Sequence, residues 1–105
     1  MSENIELPVE RLEAFEERLG VSIEGAFAYT HCDIYIIVNG ELHCKEGNEL
    51  NQNIQLVVSA HNTSGSVIGA STITITANSF FCFEIFSTTF NFAGSVSKIR
   101  IHPKI

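Results

Sequence analysis

The stretch from Ile54 to Ile101 constrains this chain most, because short runs alternating between apolar and polar residues are broken at regular intervals by turn formers. Ile54, Leu56, Val58 and Ala60 recur with the period of a strand and share one of its faces. His61-Asn62-Thr63-Ser64-Gly65-Ser66 reads as a turn, and the β-branched run Thr72-Ile73-Thr74-Ile75-Thr76 follows. From Ser79 to Phe86, the residues Phe81, Phe83 and Ile85 fall on one face, while Phe80, Cys82 and Phe86 fall on the other. The alternation assigns the first set to the core and leaves Phe80 and Phe86 needing a second cover. After Gly94, the segment Ser97 to His102 makes a last strand with Ile99 and Ile101 inward, stopped by Pro103.

The same period begins upstream, after Gly20. Val21, Ile23, Phe27 and Tyr29 alternate with smaller or polar residues, and Gly25 marks a bulge or a close backbone approach. Asn39-Gly40, between two apolar runs, predicts a tight hairpin. The count is about seven strands with frequent turns. That predicts an all-β, mainly antiparallel, immunoglobulin-like β-sandwich over residues 21–105. Residues 1–20 differ: more than half of the chain's 12 acidic residues lie between Glu3 and Glu24. Leu12, Phe15 and Leu19 recur there at helical spacing, so one short amphipathic helix is expected from Pro8 to Leu19, with Glu10, Glu13, Glu16 and Glu17 in solvent. A chain of 105 residues is one domain with one core.

A net charge of -6 argues against a nucleic-acid partner and against an anionic membrane surface. Met1-Ser2-Glu3-Asn4 has no apolar leader, and no run of about 18 apolar residues is present, so the expected location is the cytoplasm and no bilayer is spanned. Three cysteines, an odd number, are then expected as reduced thiols.

Two His-Cys dipeptides, His31-Cys32 and His43-Cys44, are the clustered soft ligands, with His61 and Cys82 elsewhere. A zinc site needs four ligands converging on one ion. A hairpin at Asn39-Gly40 places Cys44 across from Tyr35 and Cys32 about 10 Å further along, at about 3.3 Å per residue. A metal-binding or thiol-based sensor using Cys32, His43 and Cys44 is therefore the second reading. A small hydrolase around Asp33 and His31 is a third; no Gly-x-Ser-x-Gly elbow accompanies them.

Leu56 to Ile68, a strand that turns at His61-Asn62-Thr63-Ser64-Gly65 and returns through Val67-Ile68, resembles small bacterial immunoglobulin-like or fibronectin-like sandwich domains of the FxLYD type. Phe81-x-Phe83 is similar to that family's closing aromatic strand, whereas His61-Asn62 stands where the family has an aromatic residue and Asp. The resemblance implies a non-catalytic module of unassigned role, and no cofactor is expected.

The leading expectation is a non-catalytic interaction or assembly module. Its partner is a protein or a second copy, bound through a sheet edge or an aromatic face. The partner-binding candidates are Phe80 and Phe86, with Leu12 and Phe15 on the helix.

Overall fold

A computed structural model describes residues 5–105. The N-terminal residues Met1 to Asn4, from which the lack of a leader was read, lie outside the described residues. Eight strands and one short helix follow in chain order: β1 (Glu6–Leu7), β2 (Val9–Arg11), α1 (Glu13–Leu19), β3 (Val21–His31), β4 (Tyr35–Cys44), β5 (Ile54–His61), β6 (Val67–Ile75), β7 (Phe83–Asn91) and β8 (Lys98–Lys104). They form two four-stranded sheets, in the orders β1-β3-β4-β7 and β2-β8-β5-β6. Every pairing is antiparallel except that of β2 with β8. The mainly antiparallel β-sandwich with one short helix is thus the observed architecture. No described helix is long and apolar enough to cross a membrane.

The period-two pattern explains the core. Val21, Ile23, Ile36, Val38 and Leu42 from the first sheet meet Leu56, Val58, Ile99 and Ile101 from the second, all fully buried. Pro8 separates β1 from β2, so the same short segment adds one strand to each sheet. The predicted helix from Pro8 is therefore shorter. It starts only at Glu13 and ends at Gly20, whose φ of 69° supplies the left-handed cap. Pro103, expected to end the last strand, instead lies inside β8, paired with Leu56 beyond the point where β2 stops at Ile101.

The Asn39-Gly40 hairpin does not form. Both residues lie within β4, which runs straight past β7, and the β3–β4 turn falls at Cys32 and Asp33, each with φ of 55°. Gly40 is required there for space. A Cβ on it would stand 2.6 Å from Cζ of Phe86, whose ring lies over the bare backbone. Gly69 is likewise bare for space: an added Cβ would stand 2.7 Å from the Asn91 carbonyl oxygen and 3.2 Å from the Phe90 ring.

The glycine expected at a bulge is at one. Gly25 has φ of 61°, and the β3–β4 register slips between Glu24 and Phe27. The extra residue inverts the strand's facing. Val21 and Ile23 point inward before it, Ala28 and Thr30 after it, and Phe27 and Tyr29 are turned to the outside.

Candidate functional site

Phe80 and Phe86 are core residues, 4% and 3% exposed, so neither offers a surface to a partner. The opposite set is presented by β7 and the residues just before it: Phe81 is 68% exposed, Phe83 47% and Ile85 70%. The alternation was read with the two faces exchanged, because it separates them without saying which one meets the core. Of the helix candidates, Leu12 is half-buried at the N-terminus of α1. Phe15 is exposed, with its ring 5.3 Å from that of His102.

Register places the outward residues of three strands in rows. Ser22, His43 and Phe83 form one row; Glu24, Glu41 and Ile85 the next; then Phe27, Asn39 and Ser87; then Tyr29, Ile37 and Thr89; and finally His31, Tyr35 and Asn91. The result is one face with apolar groups at both ends. At one end the Phe83 ring stacks on His43, centroids 5.1 Å apart, beside Ile85. At the other, Phe27 and Tyr29 pack ring against ring at 5.4 Å, near Ile37 and Tyr35. Between these ends the carboxylates of Glu24 and Glu41 face one another across the ladder, a repulsive arrangement. Each is given a local partner: Ser22 Oγ donates to Glu24 Oε1 at 2.7 Å, and His43 Nε2 lies 2.8 Å from Glu41 Oε1. No Lys or Arg projects from these rows.

The metal candidates are not brought together. Cys32 sits in the β3–β4 turn, whereas His43 and Cys44 end β4, about 30 Å away along the strand at about 3.3 Å per residue. Among the described residues, no group of three or more His, Cys, Asp or Glu could hold a metal ion. His61 is buried, its ring nitrogens 2.8 Å from Ser59 Oγ and 3.2 Å from the Gly65 carbonyl, and it ties β5 to its turn. Asp33 lines a cavity of about 260 Å³ with Thr30 and Ser95, and no histidine lines it. A larger cleft of about 480 Å³ opens between the end of α1 and residues 44–54, lined by Arg18, Cys44, Glu49 and Leu50 among others.

Two arrangements were not found from the sequence. Glu16, expected in solvent, is 1% exposed, and its Oε1 accepts from Arg11 Nη2 at 2.6 Å and from the Ile23 backbone N–H at 3.0 Å. Arg11 Nε donates to Oε2 at 3.1 Å, and this bonding raises the guanidinium pKa further. The carboxylate thus joins β2, α1 and β3. The second is the neighbourhood of Cys44 and Cys82, separated in sequence by a whole sheet crossing; the Cys44 N–H donates to the Cys82 carbonyl at 3.4 Å.

Comparisons with protein-family models, curated proteins and solved structures found no match to this chain.

Proposed function

We propose that the protein is a non-catalytic assembly module in which two copies pack through the outer face of the β1-β3-β4-β7 sheet. The observation that carries this reading is the exposure of Phe27, Tyr35, Phe83 and Ile85 on one cation-poor sheet face. Single exposed apolar residues are ordinary on a protein surface, but two apolar clusters on one sheet face suit an interface. The ten residues of β4 span about 30 Å and three strands cover about 14 Å. Two such faces bury on the order of 1,000 Å², the lower range of specific interfaces.

The layout favours a second copy over an unrelated partner. A two-fold axis near Asn39 lays the Phe83 and Ile85 end of one copy over the Tyr35 and Ile37 end of the other. The Glu24 and Glu41 row then meets the row of Tyr29 rather than its own equivalent. A chain of net charge -6 thereby avoids setting its carboxylates against each other. The strand orders β3-β4-β7 and β8-β5-β6 correspond to A-B-E and F-C-C′ of an immunoglobulin-like sandwich, which supports that part of the reading as well.

Sedimentation velocity over a concentration series tests the proposal. The native chain is expected to sediment as a dimer, and Ile85→Asp as a monomer with an unchanged far-ultraviolet circular dichroism spectrum. Ile85 is 70% exposed, so this change spares the fold. A native chain that stays monomeric throughout, or a dimer indifferent to Ile85→Asp, overturns the reading.

A further inference from the structure

We infer that Cys44 and Cys82 form a site of reversible oxidation, closing a disulfide across the ends of β4 and β7. The last paired residues of that ladder are His43 and Phe83, and Cys44 and Cys82 are the next residues beyond it. Their backbones are still joined at this step, Cys44 N–H to Cys82 carbonyl, at 3.4 Å. Opposed residues of an antiparallel pair have Cα atoms about 4.5–5.5 Å apart. Disulfides span about 4.4–6.8 Å.

Both thiols also meet the same loop. Cys44 Sγ donates to the Glu49 carbonyl at 3.2 Å, and Cys82 Sγ donates to Asn48 Oδ1 at 3.3 Å, so both sulfurs are anchored on adjacent residues of one loop. Asn48 also accepts the Cys82 N–H at 2.8 Å. Cys82 is held at φ of 64°, a conformation uncommon outside glycine. Neither cysteine is fully buried, and Cys44 lines the cleft beside α1.

The chemistry is thiol–disulfide exchange with a small-molecule disulfide. Burial, and then the neighbouring Cys82, push the Cys44 thiol up. The Cys82 thiolate attacks one sulfur of the reagent and expels a first thiolate. Cys44 then gives up its proton, attacks Cys82 Sγ in the mixed disulfide and expels a second thiolate. Two protein thiols are oxidised and one disulfide is reduced to two thiols. The new bond withdraws both sulfurs from Asn48 and Glu49, which releases the loop. This site is independent of the proposed self-association and excludes Cys32, which lies at the far end of β4.

The test treats the folded Cys32→Ser protein with oxidised glutathione, quenches with acid, alkylates remaining thiols and measures intact and peptide masses. The expected product has lost two hydrogens, carries no glutathione and yields a linked Cys44–Cys82 peptide. It should exceed glutathione adducts by about tenfold or more, because the second thiol acts at high effective concentration. Adding Cys44→Ser should trap glutathione on Cys82 as a persistent adduct. Two alkylated thiols in the Cys32→Ser protein, or stable adducts on both cysteines, overturn the inference. If Cys44→Ser does not fold, the Cys32→Ser result decides it unaided.

Discussion

The buried carboxylate of Glu16 gives the sharpest test of how this fold is held. In Glu16→Ala, the Ile23 N–H loses its acceptor in a site that Glu16 holds at 1% exposure. An unsatisfied buried donor costs about 1–3 kcal/mol. The two bonds to Arg11 are also lost, but the Arg11 side chain is 33% exposed and water replaces them, so they add only about 1 kcal/mol. The total is about 2–4 kcal/mol, a large part of the roughly 5–15 kcal/mol by which domains are stable. For about 100 residues it lowers Tm on the order of 10–25 °C.

Two further substitutions separate the contributions. Glu16→Gln keeps an acceptor for Ile23 and should cost about 1–2 kcal/mol. Arg11→Met leaves the carboxylate buried without its cation, which costs about 3–5 kcal/mol. Urea unfolding followed by far-ultraviolet circular dichroism should therefore rank Arg11→Met as most damaging and Glu16→Gln as least. Glu16→Ala costing under about 0.5 kcal/mol, or Glu16→Gln costing as much as Arg11→Met, would refute the reasoning.

Gly40→Ala drives a Cβ into the Phe86 ring and should cost about 1–3 kcal/mol. In a double-mutant cycle, Phe86→Leu should relieve part of that strain, so the two effects will not add. His102 titrates below its ordinary 6.5 because of burial, then Arg100 and Lys104. The unfolded chain therefore takes up this proton first, and the contribution to stability is full above about pH 6.5 and lost on acidification. Melting curves from about pH 7.5 to about 5.5 should fall less steeply for His102→Phe than for the native chain. Closing the 44–82 loop by oxidation should raise stability by about 3–4 kcal/mol, read as a urea midpoint that drops when reductant is added.

Much of the architecture is legible in the residues. The alternation Ile54, Leu56, Val58, Ala60 forms the inward face of β5, Ile99 and Ile101 form that of β8, and Gly25 sits at the expected bulge. These are local properties: a strand's side chains alternate whatever lies around it, and glycine reaches positive φ without a partner's help. Which alternating set meets the core is not local. Phe86 faces inward because Gly40, forty-six positions earlier, leaves room for its ring, and Phe83 and Ile85 are turned outward as a consequence. The same non-local packing overrides the turn preference of Asn39-Gly40. Glu16 is buried because β2 and β3 bring it a guanidinium and a backbone donor that no helical spacing records. The backbone contact of Cys44 with Cys82 follows from the register between two distant strands. The sequence by itself thus determined the strands and their periodicity, while tertiary packing chose the exposed face and brought Cys44 and Cys82 into backbone contact, because both require contacts between residues far apart in the chain.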